Sequence, residues 1–419
     1  MKKTDEILDH GTLLESALED FAQSSSNPYG MAKKVSIIEK MVNEREAKKL
    51  IEKTMKKLEP FREKSIETLS DEDKSEIRVF LIELAEELDR KKIFFDEPFL
   101  SFFMENGYLD STELFFLHAR EHDSTLDFTD LFQAVRNVWI MNSLQLLFDL
   151  PIRLTPSIFS YSMLYPYTDN YLDDPDVSME EKRLFNNRLQ MVLEGYMPQD
   201  VTPDEMKIFT MIHNIEKEYP RNDYPDVYKS LLLIQDAQVY SMSQGSQNRL
   251  SPNIIMPISF YKGGTSVLAD AYLCKGHLNQ MEMEFAFGYG AFLQLMDDLQ
   301  DIDCDRKSKH WTLFSVKNQE EIFDNEVTKL LCYITKVTDK HTFRTPHEEM
   351  LKRIIRECTR MMIGEVIGKN PHLVSERLYK NIESSSKVRL SFYMEYGEKL
   401  SEGMSRLGAN APLSSSTMT

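Results

Sequence analysis

The chain has 419 residues, of which 42% are hydrophobic and 28% charged, with only 15 Gly and 16 Pro. That composition excludes wholesale disorder, and the scarcity of helix breakers favours long helices. The formal net charge of −18 argues against nucleic acid as a partner, because so acidic a chain repels phosphate backbones, and it leaves cations as natural ligands.

Residues 1–75 are polar and charge-rich, with runs such as EREAKKLIEKTMKKLEPFREK, and read as exposed helices. From about 76 to 120 apolar residues recur at helical spacing. Residues 131–148 (LFQAVRNVWIMNSLQLLF) read as a buried helix, apolar on most faces, with Pro151 and Pro156 at its end. Residues 158–174 (IFSYSMLYPYTDNYLDD) form an aromatic helix running into acid, which Pro175 ends or kinks. Further helices are expected over 178–197, 204–218 and 226–243. Residues 253–273 form an apolar segment broken by Gly263-Gly264. A long helix over 280–304 follows, and helices over 320–337, 347–368 and 375–400 complete the series. The tail 401–419 reads as disordered. No alternating strand pattern is present, so the expectation is an all-α chain around one core, with an N-terminal helical extension over 1–125, a helical domain over 126–400 and the tail.

The four cysteines, Cys274, Cys304, Cys332 and Cys358, form no CxxC pair, which argues against a zinc or redox motif. The N-terminus shows no apolar leader, and no run of about 18 apolar residues spans a bilayer, so a cytoplasmic protein without a transmembrane segment is expected.

Two acidic clusters carry the chemistry. The first reads Asp169-Asn170-Tyr171-Leu172-Asp173-Asp174-Pro175-Asp176; Asp169 and Asp173 are four apart and share a helical face. The second reads Asp297-Asp298-Leu299-Gln300-Asp301-Ile302-Asp303-Cys304-Asp305-Arg306; Asp297, Asp301 and Asp305 form a stripe, which Asp298 borders. Like charges at i,i+4 destabilise a helix, and carboxylates at the edge of a core are costly unless neutralised. Mg²⁺ neutralises them while taking one or two carboxylates, substrate phosphates and water. The alternative is that each cluster is a solvated acidic helix end. A di-iron bundle needs Glu-x-x-His pairs, and none lies near these clusters.

This pattern resembles the class I isoprenoid synthases, an all-α fold with Asp-rich motifs on two facing helices. The stretch FGYGAFLQLMDDLQDIDCDR is similar to the second Asp-rich motif of trans-prenyltransferases, with Gln294 before Asp297, Asp298 and Asp301. DNYLDD is closer to the first motif of large bacterial terpene synthases, whose second motif also runs Asp-xxx-Asp-xxx-Asp-Arg, as Asp297, Asp301, Asp305 and Arg306 do here. The resemblance covers roughly residues 130–400.

The resemblance implies Asp169, Asp173, Asp297 and Asp301 as catalytic residues. Together with Asp174, Asp298 and Asp305 they would bind roughly three Mg²⁺ ions. It implies diphosphate contacts from Lys262 and Thr265 at a helix kink, from Arg306, and from Arg389 and Tyr393 near the C-terminus. Tyr161, Tyr165, Phe285, Tyr289, Phe292 and Gln294 would line a prenyl pocket, where ring faces stabilise carbocations and water is excluded. The expected activity is Mg²⁺-dependent ionisation of a prenyl diphosphate, release of pyrophosphate, and cyclisation or rearrangement of the cation. Chain elongation or head-to-head coupling by a trans-prenyltransferase stays open, as does a non-catalytic helical isoprenoid-binding protein. A homodimer and peripheral contact with membranes that accept an apolar product are both compatible with this reading.

Overall fold

Short polar side chains mark where many of the helices begin. Asp9, Ser36, Ser70, Ser178, Thr202, Asn279 and Ser375 each accept a hydrogen bond from a free backbone N–H of the first turn. At Ser70, Ser178, Thr202 and Asn279 an acidic residue three positions on bonds back to the cap, closing a capping box. Pro203, Pro225 and Pro252 sit at the first helical position, where the missing N–H costs nothing.

The computed structural model describes residues 8–25, 28, 33–61, 69–126, 128–173, 177–199, 201–245, 249–318 and 321–396; for residues 128, 129, 165, 166, 169, 170 and 173 it describes the backbone alone. The helices are α1 (His10–Ala22), α2 (Ile37–Leu58), α3 (Asp71–Lys91), α4 (Phe99–Glu105), α5 (Tyr108–His122) and α6 (Phe128–Leu147). There follow α7 (Pro156–Asp173), α8 (Met179–Leu193), α9 (Pro203–Glu218), α10 (Pro225–Ser241), α11 (Pro252–Lys275) and α12 (Gln280–Gln300). The series ends with α13 (Ile302–Ser308), α14 (Asp324–Lys340), α15 (Glu348–Lys369), α16 (Glu376–Ser385) and α17 (390–396). Among the described residues there is no strand, as an all-α chain requires. The tail 401–419 lies outside the described residues.

Two compact units divide the chain. The first takes residues 1–25, 110–319 and 333–349; the second takes 26–109, 320–332 and 350–419. The boundary that the sequence suggests at 125 therefore falls inside the first unit. The reason is α1: its Leu13, Ala17 and Phe21 are buried, and it packs on α11 and α12. The Phe21 ring sits edge-on to Phe260 and Tyr333, at 5.6 and 5.5 Å between centroids.

In the first unit α11 is central, with α1, α6, α7, α10 and α12 as neighbours. It is buried along nearly its whole length from Ile255 to Cys274. Contrary to the expected break, it runs through Gly263-Gly264 without interruption. Glycine inside a helix costs about 1 kcal/mol relative to alanine, but here it permits a close crossing. A Cβ on Gly263 would run into the Gly290 carbonyl oxygen, one on Gly290 would run into the Gly263 carbonyl oxygen, and one on Gly264 would strike the Phe287 ring. The expected single helix over 280–304 divides at Asp301, whose backbone (φ −92°, ψ 11°) leaves helical geometry. The i→i−4 bonds nevertheless continue, from Asp301 N–H to the Asp297 carbonyl at 2.9 Å and from Asp305 N–H to the Asp301 carbonyl at 2.8 Å. The spacing of the stripe survives the change of helix.

The second unit packs Ala47 and Leu50 of α2 against Ile93, Val388, Phe392 and Tyr396. The expected helix 375–400 divides at 386–389. There, Arg389 N–H donates to Glu44 Oε1 and Leu390 N–H to Glu383 Oε2, so carboxylates cap the start of α17.

Gly290→Ala tests the helix crossing. Its methyl must displace backbone, so it should cost roughly 1–3 kcal/mol of unfolding free energy in urea titrations. Gly11→Ala, which faces only a 3.4 Å contact in the first turn of α1, should be neutral within about 0.5 kcal/mol.

Candidate functional site

The crossing of α11 and α12 fixes what surrounds the second acidic cluster. On the far side of Gly263 and Gly290, Ser259 Oγ of α11 donates to Asp298 Oδ2 at 3.0 Å. Gln294 Nε2 donates to Asp298 Oδ1 at 2.9 Å from one turn earlier on α12. Asp298 is buried, and both of its oxygens are engaged. It thus acts as a clamp between the two helices, and Gln294 serves that clamp; neither is presented to a ligand.

Asp297 faces a different environment. Its side chain is 48% exposed, and the Arg136 guanidinium of α6 approaches it at 3.6 Å. Its carboxyl is nevertheless pushed above the usual carboxylate range, with desolvation the largest cause. Water reaches this carboxylate, yet lost solvation still dominates its proton affinity. Asp301 is pushed up to about 6 by desolvation and then by the charge of Asp297. Asp305 is pushed up to about 7 by desolvation, Asp298 and Asp301, against a hydrogen bond from Thr312. Burial likewise raises Asp298 to about 7. Two cations pull these values back: Arg136 acts on Asp297 and Asp301, and Lys262 of α11 acts on Asp297, Asp298 and Asp305.

Arg136 is the cation beside this cluster that sequence reasoning missed. Its signal was present: Arg136-Asn137 is a polar pair in the middle of α6, set between the apolar runs Ala134-Val135 and Val138-Trp139-Ile140-Met141. Asn137 has its own task. Its amide donates to Ser162 Oγ of α7 at 3.2 Å and to Asp270 Oδ1 of α11 at 3.0 Å. Asp270 is fully buried, its Oδ2 has no hydrogen-bond partner among the described residues, and burial pushes it up to about 8. Asp169 lies seven residues beyond Ser162, at an equivalent register of α7, and Asp173 falls in the last turn. Their side chains, and the whole of Asp174, lie outside the described residues.

The remaining expected residues scatter. Thr265 is buried, and its hydroxyl donates to the Tyr261 carbonyl at 2.6 Å, so it is spent within α11. Lys262 is half-buried beside the stripe, with no ion pair among the described residues. Arg306 turns to the loop after α13, where its Nη2 donates to the Lys317 carbonyl at 3.3 Å. Arg389 belongs to the second unit, where Glu44 takes its guanidinium at 2.7 and 2.9 Å, and Tyr393 packs there against the apolar cluster. Phe285 and Phe292 are fully buried core residues; Phe285 stacks on Tyr289 at 5.8 Å and meets Phe343 edge-on at 5.0 Å. Among the described expected aromatics, Tyr161 alone lines a crevice of about 70 Å³, shared with Leu164, Leu189, Leu193, Leu231 and Ile234 and with the polar Thr168, Asn186, Gln235 and Gln238. The Tyr165 side chain lies outside the described residues.

Among the described residues, no three His, Cys, Asp or Glu side chains are gathered to hold a metal ion. Asp297, Asp301 and Asp305 recur four residues apart, and lost solvation raises the proton affinity of each, with neighbouring carboxylates adding to it at Asp301 and Asp305. Compared with known proteins, the chain matches no family model, no curated protein and no solved structure.

The buried Asp270 sets a pH dependence of stability. Its carboxyl loses its proton near pH 4 when unfolded and at about 8 when folded. Between those values the unfolded state binds fewer protons, so stability falls as pH rises. Asp270→Asn removes this loss. The stability difference between variant and parent in urea titrations should grow from pH 5 to pH 8 by up to about 1.4 kcal/mol per unit.

Proposed function

We propose that the chain is a Mg²⁺-dependent class I terpene synthase, which ionises a prenyl diphosphate and cyclises or rearranges the resulting cation. The observation that carries this reading is the partly desolvated stripe Asp297, Asp301 and Asp305, with Arg136 and Lys262 acting on it. Carboxylates alone repel a diphosphate. Carboxylates with divalent cations, beside a guanidinium and an ammonium, attract one.

In this reading Asp297, Asp301 and Asp305 hold the metal on the second wall, and Asp169 and Asp173 of α7 supply the first. Bound Mg²⁺ would neutralise charge on the departing diphosphate as the carbon–oxygen bond breaks. Arg136 and Lys262 bind the same oxygens directly, Arg136 through paired N–H donors. Ser259 and Gln294 hold Asp298, and with it the register of α12, so that the stripe does not rotate when it is loaded.

The test is pyrophosphate release from geranylgeranyl diphosphate with Mg²⁺, with and without isopentenyl diphosphate. A hydrocarbon from the single substrate is the expected product. Longer diphosphates formed only with both substrates would assign elongation instead. No release from any prenyl chain length would overturn the enzyme reading. Asp297→Ala with Asp301→Ala should lower turnover by roughly 10²-fold or more. Arg136→Gln should lose about 1.5–3 kcal/mol of transition-state stabilisation, roughly 10–100-fold in kcat/KM.

A further inference from the structure

The second unit carries an uncovered feature on α2. Ile37, Ile38, Met41 and Val42 are 56%, 72%, 60% and 54% exposed, on consecutive turns at its N-terminal end. Isolated exposed apolar residues are ordinary, but four large ones gathered on one helix end are not. The opposite face of α2 accounts for the packing of the helix: Lys40, Asn43, Glu44, Ala47 and Leu50 are buried. Lys40 and Asn43 donate there to the carbonyls of Glu383 and Lys387. The outward face continues from Ile38, Met41 and Val42 through Arg45, Lys49 and Glu52 to Lys56, at helical spacing, all exposed, with Lys49 paired to Glu46 at 2.6 Å. Arg45 and Lys56 carry no ion pair among the described residues. Residues 33–57 hold nine Lys or Arg against four Glu, in a chain whose net charge is −18. Much of that excess is used locally, since Lys40 is buried and Lys33, Lys48, Lys53 and Lys57 pair with Asp96, Glu395, Glu87 and Glu76. What shares the outward face with the apolar turns is Arg45, Lys49 and Lys56 against Glu52, a net basic set.

We propose that this face of α2 docks on a lipid bilayer bearing anionic headgroups. Ile37, Ile38, Met41 and Val42 enter the acyl boundary, while Arg45, Lys49 and Lys56 lie at headgroup level. The charge pattern selects this occupant: an apolar patch for a protein partner needs no basic stripe continuing from it, whereas an anionic bilayer rewards both. The acidic remainder of the chain is repelled from the same surface, so only α2 and its immediate flanks make the contact. This inference stands on α2 alone and is independent of the reading of the acidic stripe.

Co-sedimentation of the full chain with phosphatidylcholine vesicles, with and without about one-third phosphatidylglycerol, tests it. Binding is expected only to the anionic vesicles, and it should weaken roughly tenfold or more between low and high salt. Ile38→Glu with Met41→Glu, and separately Arg45→Glu with Lys49→Glu, should each lower binding by roughly tenfold or more. Both pairs are exposed, so circular dichroism should stay that of the parent. Failure of the parent to bind anionic vesicles, binding by either variant equal to the parent's, or self-association of the parent that Ile38→Glu with Met41→Glu abolishes would overturn the proposal; the last would give the face to a second copy of the chain.

Discussion

Where α11 crosses α12, backbone meets backbone at Gly263 and Gly290 with no side chain between them. The contact leaves little freedom to slide. A shift of one residue in either helix would bring a Cβ into a carbonyl. Antiparallel pairing on either side of that point then follows: Gly264 faces Phe287, and Ser259 meets Asp298. Lys262, next to the contact, is carried to the acidic stripe. The electrostatics of the stripe are thus set by a steric fact located two turns away from its carboxylates.

Those carboxylates present a problem that the chain solves unevenly. Asp298 is resolved internally by Gln294 and Ser259. Asp297, Asp301 and Asp305 are left with lost solvation and mutual repulsion, offset in part by Arg136, Lys262 and Thr312. A purely structural cluster would be expected to finish the job with further donors, as Glu44 and Arg389 do for each other in the second unit. The stripe thus keeps a residual charge imbalance that its neighbours do not cancel.

The helices were largely legible in the sequence, because helical periodicity and capping residues are local signals. α9 and α10 fall within a few residues of the expected spans. The failures came from long-range causes. Gly263-Gly264 read as a break because glycine disfavours an isolated helix, whereas the partner helix supplies the reason for both glycines. Thr265 looked like a ligand by resemblance, yet its hydroxyl is consumed by the turn before it. Phe285 and Phe292 looked like pocket residues, but apolar side chains on a helix do not say which neighbour covers them. Arg136 went unnoticed because its partner lies 161 positions further along the chain. A polar pair between two apolar runs was the clue, since a half-buried cation gains from a counter-charge.

The place of α1 has a consequence for how the first unit can be made. Residues 8–25 leave the ribosome long before α11 and α12, the surfaces that bury Phe21, so this segment must wait unpartnered while more than 200 residues follow. The unit is completed only when residues 333–349 supply Tyr333, the other ring against Phe21. No single cut releases it intact. A fragment beginning at the apparent boundary near 125 would leave the Phe260 and Tyr333 rings bare, and any dissection of this protein into working parts has to keep both ends of the chain.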